Sequence, residues 1–305
     1  LAAVILNPNP ITLKNIPALR DINTMIRLLE NLGVKTERNG NDVTFDASGI
    51  TSHEATYDLV KTMRASIFTL GPLLARFKKA KVSLPGGCAI GTRPIDLHLS
   101  NLEKLGAKII TKGGYVQAEC PQLKGTSLAL AFPSVGATEN LMMAAVFAEG
   151  TTVIDNAAKE PEIDDLANFL NAMGAKVSGL GTSRIVVEGV KELHSVEYEA
   201  IGDRIEAATY VIAGLMTKSE ITVKNFVPSH IDFVLDLLKD MGAKLEIGDN
   251  YVKTFPSELK GAKIDTAPYP GFPTDVQAQM MALLSVVNGA SVVTEHRSEE
   301  RRVGK

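Results

Sequence analysis

Four glycines do most to limit what this chain can fold into. They stand in the contexts Asn31-Leu32-Gly33-Val34-Lys35, Lys104-Leu105-Gly106-Ala107-Lys108, Ala172-Met173-Gly174-Ala175-Lys176 and Asp240-Met241-Gly242-Ala243-Lys244. Each glycine follows a run of helical apolar spacing and precedes a small residue, a lysine and a strand-like stretch. A glycine just past the last helical residue is the ordinary way to stop a helix, because it takes the left-handed conformation at no steric cost. The four recur at nearly equal intervals, and recurrence at a fixed period marks a repeated supersecondary unit. The segments 11–15, 152–156 and 221–225 read as strands closing on an asparagine turn. Asn15, Asn156 and Asn225 precede their glycines by an interval that is the same to within one position.

A second helix is expected before each strand, over 57–77, 138–148, 205–216 and 275–287. These segments are apolar nearly all round, which places them in a core and makes their Leu and Met stripes packing rather than a ligand site. The unit is therefore helix, strand, helix and two or more strands, an α/β (α+β) pattern with a period of about 70 residues. The 305 residues hold a little over four such units and suit two domains, 1–202 and 203–296. The net charge of −3 supplies no basic field, which argues against nucleic acid or an anionic membrane as partner. Apolar stretches such as 141–148 are far too short to cross a bilayer, and no secretory signal is visible. Cys88 and Cys120 are the two cysteines, too few for a disulfide framework or a cysteine metal cluster. A reducing cytoplasm is expected, with no metal and no cofactor. Cys120, on a polar strand-like stretch, reads as structural.

The same interval counted back from Gly106 lands on Cys88, where the other units have asparagine. The surrounding run is Pro85-Gly86-Gly87-Cys88-Ala89-Ile90-Gly91-Thr92-Arg93-Pro94-Ile95-Asp96-Leu97-His98. Its glycines let the backbone approach a ligand closely. Arg93 offers a cation that favours the Cys88 thiolate, and its guanidinium forks well onto phosphate or carboxylate oxygens. A thiol in such a loop points to covalent or acid–base chemistry on a small anionic substrate, whereas most cysteines are inert buried hydrophobes. The length of the run, more than the cysteine itself, favours the chemical reading.

The whole run resembles the active-site loop of the enolpyruvyl transferase family, in its branch acting on UDP-N-acetylglucosamine. The resemblance implies an inside-out α/β barrel fold, with six such units, three in each of two globular domains, and substrates in the cleft between them. It implies transfer of the enolpyruvyl group of phosphoenolpyruvate to the 3-hydroxyl of UDP-N-acetylglucosamine with release of phosphate, the first committed step of peptidoglycan synthesis. Such chemistry needs an acid for the methylene carbon, a base for the hydroxyl and cations for phosphate and carboxylate. The resemblance assigns the acid to Cys88, which in the family also forms an adduct with phosphoenolpyruvate. It assigns the hydroxyl-facing carboxylate to Asp275, in Phe272-Pro273-Thr274-Asp275. The same residues read alone as a helix-capping signal. Nucleotide-sugar contacts are implied for Arg64, for Arg93, Pro94, Ile95, Asp96 and Leu97, and for Ser134, Val135 and Gly136 at a helix start suited to diphosphate oxygens. Asp203, Arg204 and Glu206 match a hinge-side motif and are secondary candidates. Arg64 and Arg204, taken singly, read equally as surface ion pairs. His98 is a secondary candidate whose other reading is a packed or capping histidine. Phe132 stands where one branch of the family has a lysine.

Two other readings stay open: an enzyme resembling 3-phosphoshikimate 1-carboxyvinyltransferase, which lacks the Gly-Gly-Cys loop, and an inactive fragment serving only as a scaffold. Leu1-Ala2-Ala3-Val4 reads as the tail of a helix already under way. The family's Lys-Asn pair and its Asp-Leu-Arg and final arginine motifs would lie outside the chain. Residues 297–305 read as a non-native tail, matching the translation of a sequencing adapter. The chain is thus expected to be a fragment cut at both ends, inactive as it stands, with its oligomeric state left open.

Overall fold

The computed structural model describes residues 1–55, 64–84 and 95–296, apart from the side chains of residues 64 and 65. Two compact units divide the chain, Leu1–Ala200 and Ile201–Lys305. In the first unit the repeat is visible strand by strand. The first copy comprises β1 (Ile11–Lys14), α1 (Arg20–Leu32), β2 (Lys35–Asn39), β3 (Asp42–Asp46) and β4 (Glu54–Ala55). Helix α2 (Leu70–Phe77) leads into the second copy, β5 (Lys79–Ser83), α3 (Asp96–Lys104), β6 (Lys108–Lys112), β7 (Tyr115–Glu119) and β8 (Ser127–Ala129). Helix α4 (Val135–Ala145) leads into the third, β9 (Thr151–Asp155), α5 (Pro161–Ala172), β10 (Lys176–Ser178), β11 (Arg184–Glu188) and β12 (Val196–Glu199).

Three four-stranded sheets result, ordered β12-β1-β3-β2, β4-β5-β7-β6 and β8-β9-β11-β10. Within each, three strands of one copy pair antiparallel. The last strand of the preceding copy is added parallel, with Glu54 opposite Lys81 and Ser127 opposite Val153. The third copy returns its last strand to the first, Ile11 opposite Val196. Strand exchange thus links the three copies in a ring. One side of each sheet faces a continuous core, into which α2 and α4 are sunk through Leu70, Leu73, Leu74, Leu141, Met142 and Ala145. The Leu and Met stripes are packing, as their all-round apolarity requires.

The repeat glycines share one geometry. Gly33, Gly106, Gly174 and Gly242 have φ of 110°, 99°, 102° and 107°. Each N–H bonds the carbonyl three residues back, and the next residue's N–H bonds the carbonyl five back, as in Gly174 to Asn171 (2.9 Å) and Ala175 to Leu170 (3.0 Å). That pair of bonds is the Schellman stop, and it requires a left-handed residue. Asn15, Asn156 and Asn225 are also left-handed, at φ 60°, 56° and 65°. The Asn15 Nδ2 donates to Ala200 O (2.9 Å) and the Asn156 Nδ2 to Leu130 O (2.8 Å). Both acceptors immediately follow an exchanged strand, so these side chains pin β12 and β8 in place.

The helices differ from the sequence reading at their ends. The segment expected as one helix over 57–77 begins outside the described residues and is a 3-10 turn over Arg64–Thr69 before α2 opens at Leu70. Pro72 accounts for the break: it has no N–H and fits only in a helix's first turn. The helix expected over 138–148 starts earlier, at Val135, because Ser134 caps it, and ends at Ala145. The helix expected over 275–287 is a 3-10 turn, Thr274–Val276, followed by a shorter α-helix, Gln277–Leu284.

The second unit holds α6 (Arg204–Met216), β13 (Ile221–Lys224), α7 (Asp232–Asp240), β14 (Lys244–Ile247), β15 (Tyr251–Phe255), β16 (Lys263–Asp265), α8 (Gln277–Leu284) and β17 (Val292–Thr294). Its sheets are β13-β15-β14 and the parallel pair β16-β17. Val211, Leu235, Phe272 and Met280 belong to a core of its own.

Candidate active site

Cys88, Arg93 and Pro94 lie outside the described residues, as does the Arg64 side chain. Residues beside them are described, and in the first unit three of the segments that carry candidate residues meet. Ile95 is the N-cap of α3, its carbonyl accepting from His98 N (2.9 Å) and Leu99 N (3.1 Å). Asp96 is exposed in the first turn, where a carboxylate suits the helix dipole. Leu97 is half-buried. Ser134 is the N-cap of α4, its Oγ accepting from Ala137 N (3.3 Å). Val135 and Gly136 form the first turn, whose N–H groups have no intrahelical acceptor and are the kind of donors that hold anion oxygens. Phe132, just before it, is 43% exposed.

The third segment is the 3-10 turn Arg64–Thr69. It joins the other two through Asn140 on α4, which is completely buried. The Gly71 N–H donates to Asn140 Oδ1 (2.7 Å), and Asn140 Nδ2 donates to Ile67 O (3.2 Å) and lies 3.1 Å from His98 Nδ1. His98 is 7% exposed, so its packed reading describes its surroundings. Gly136 abuts it: a Cβ there would sit 3.3 Å from His98 Cε1 and 3.3 Å from Phe68 Cε1. Asn140 and Phe68 did not stand out in the sequence. The available signal was a carboxamide directly before the apolar run Leu141–Ala145 of a core helix, where a buried polar group must find hydrogen-bond partners.

Beside this hub, burial chiefly, and then the neighbouring Glu162, push the Glu139 carboxyl up to about 8. Cys120 is buried just after β7, with its Sγ donating to Gly106 O (3.3 Å), in keeping with a structural role. No group of three or more His, Cys, Asp or Glu is placed to hold a metal ion among the described residues. No helix among them is long and apolar enough to cross a membrane.

In the second unit, Asp203 caps α6, its Oδ1 accepting from Ile205 N (2.8 Å) and Glu206 N (3.0 Å). Glu206 is exposed in that first turn. Arg204 is no surface residue: it is 7% exposed and stands 5.6 Å from the Tyr269 ring centroid. Planar guanidinium stacks on aromatic faces in this way. With Tyr269, His230, Asp232 and Pro273 it lines a small cavity of about 110 Å³. Asp275 lies inside the 3-10 turn rather than at its cap, which is Pro273. Its side chain is exposed and makes no hydrogen bond among the described residues. The capping reading therefore does not describe Asp275, and a solvent-facing carboxylate beside Pro273 and Thr274 remains.

Exchanged strands around buried helices, with glycine-stopped repeats and helix starts gathered at one buried hub, define a family that comparison identifies. The profile of the EPSP synthase (3-phosphoshikimate 1-carboxyvinyltransferase) family matches residues 1–303, and the chain belongs to this family. Within it, the chain is 52% identical over 300 residues to UDP-N-acetylglucosamine 1-carboxyvinyltransferase of Geotalea uraniireducens (strain Rf4), covering 98% of this chain and 72% of that protein. It is 49% identical over 297 residues to UDP-N-acetylglucosamine 1-carboxyvinyltransferase 2 of Caldanaerobacter subterraneus subsp. tengcongensis, covering 97% and 71%. The enolpyruvyl transferase NikO from Streptomyces tendae shares the fold with a TM-score of 0.84 at 22% identity, over 97% of this chain and 72% of that one. EPSP synthase from Acinetobacter baumannii does so at 0.69 and 19%, over 96% and 70%.

Proposed function

We propose that this chain is built for transfer of the enolpyruvyl group of phosphoenolpyruvate to the 3-hydroxyl of UDP-N-acetylglucosamine, as the first committed step of peptidoglycan synthesis in the cytoplasm. The observation that carries this is identity near one half, along nearly the whole chain, with relatives that bear that enzyme's name. The sugar hydroxyl adds to C2 of phosphoenolpyruvate while Cys88 gives a proton to the methylene carbon. Loss of a proton from that carbon then expels phosphate and restores the double bond. A thiol serves here because it titrates close to neutrality. Asp275 takes or relays the hydroxyl proton, in keeping with its exposed, unbonded carboxylate. Arg64 and Arg93 supply cationic forks for anionic oxygens. The segments Arg93-Pro94-Ile95-Asp96-Leu97 and Ser134-Val135-Gly136 hold the uridine diphosphate group. Arg204, with Asp203 and Glu206, supports the second unit's face.

Phosphate release is the test, measured with phosphoenolpyruvate plus UDP-N-acetylglucosamine on this chain completed with the flanking segments that a relative's greater length supplies, and on the Cys88→Ala variant of that completed chain. Release that depends on the nucleotide sugar and disappears in Cys88→Ala is the expected result. Release only with shikimate 3-phosphate would move the assignment to the reaction for which the matching family profile is described.

A further inference from the structure

We infer that Asn140 is a positioning residue: it fixes His98 as the Nε2–H tautomer and holds the three nucleotide-sugar segments in one register. The inference rests on the nucleotide-sugar reading of those segments. Two backbone groups fix which way the Asn140 carboxamide points. The Gly71 N–H can only donate, so the atom 2.7 Å from it is the carboxamide oxygen. The Ile67 carbonyl can only accept, so the atom 3.2 Å from it is the nitrogen. That nitrogen's remaining proton faces His98 Nδ1 at 3.1 Å. His98 Nδ1 must then be the acceptor, and the imidazole proton resides on Nε2.

The consequence runs outward from the hub. Ile67 belongs to the turn that carries Arg64, His98 to the first turn of α3 beside Ile95, Asp96 and Leu97, and Asn140 to the helix that Ser134, Val135 and Gly136 open. One fully buried carboxamide thus ties together the three segments. Neighbouring glycines make the fit close. A Cβ on Gly71 would meet the backbone and side-chain oxygens of Asn140, each at 2.4 Å, and one on Gly136 would press on the His98 ring. A half-satisfied buried network is costly, so the register is strongly held.

Imidazole nitrogen–proton correlation spectra of the ¹⁵N-labelled chain test the inference, with His98 assigned by the signal missing in His98→Asn. The expected wild-type spectrum has the His98 proton on Nε2 and a bare Nδ1. In Asn140→Asp the carboxylate still accepts from Gly71 but cannot donate, so the proton should appear on Nδ1. Affinity for UDP-N-acetylglucosamine, read by calorimetry, should then fall about tenfold, as expected for loss of one positioning hydrogen bond. His98→Leu should lose affinity similarly, and His98→Asn, whose carboxamide restores an acceptor, should recover most of the loss.

A wild-type spectrum with the proton on Nδ1 overturns the inference. So does an Asn140→Asp chain that folds with tautomer and affinity unchanged. Should Asn140→Asp fail to fold, the His98 pair decides: equal losses in His98→Leu and His98→Asn overturn it. If the wild type does not bind UDP-N-acetylglucosamine at all, the nucleotide-sugar reading fails, while the spectra still decide the tautomer.

Discussion

Asn156 permits a measurement that separates a backbone preference from a side-chain bond. At φ 56° the residue is left-handed, and its Nδ2 donates to Leu130 O at 2.8 Å. Asn156→Gly keeps the conformation and removes the bond, which should cost about 1 kcal/mol. Asn156→Ala also removes the bond but, unlike glycine, keeps a Cβ in the left-handed region, and without the polar side chain that eases asparagine there, so it should cost roughly 1 kcal/mol more than Asn156→Gly. Asn225 supplies the control: its φ is 65°, but its carboxamide makes no hydrogen bond among the described residues. Asn225→Gly should therefore be within about 0.5 kcal/mol of wild type. Urea unfolding followed by circular dichroism reads all three, with an unchanged slope confirming that the compactness of the end states is unaltered. Equal costs for Asn156→Gly and Asn225→Gly would refute the role given to the carboxamide. An Asn156→Ala cost no larger than that of Asn156→Gly would refute the strain argument.

Gly136→Ala places a methyl 3.3 Å from two rings, so overpacking should cost roughly 1–3 kcal/mol, and calorimetry should show weakened UDP-N-acetylglucosamine binding. Asp203→Ala frees the Ile205 and Glu206 N–H groups and should lose about 1 kcal/mol by urea unfolding, while Asp203→Asn keeps most of it. Glu139 is protonated in the fold up to about 8, whereas the unfolded chain ionises it near pH 4.5. The folded state thus holds the proton more tightly, and stability falls as pH rises between those values, levelling off above about 8. Glu139→Gln should flatten that fall in a pH series of urea midpoints. Its gain at the alkaline end should be on the order of 2 kcal/mol, less than the whole shift because the side chain is partly exposed.

The parts of the fold legible in the sequence were those that backbone sterics demand. Gly33, Gly106, Gly174 and Gly242, with Asn15, Asn156 and Asn225, announce left-handed residues, and left-handed residues occur where elements stop. Helix bounds were less legible: Pro72 splits the expected helix over 57–77, because a missing N–H outweighs apolar periodicity. The site segments were readable as contiguous motifs, from Ile95 to Leu97 and from Ser134 to Gly136. Asn140 was not, since its partners Ile67 and His98 lie 73 and 42 residues away and leave no periodic trace. Arg204 reads as a surface charge until Tyr269, far along the chain, is folded against it.

The parallel pairing of β1 with β12 also sets a timetable for the newborn polypeptide. Asn15 grips a carbonyl 185 residues downstream, and at ribosomal speed that stretch takes roughly 10–40 s to emerge. Until then β1 carries a bare, sticky flank of the kind that invites mispairing with a stranger. A premature stop before Val196 would leave that flank permanently without its own lid.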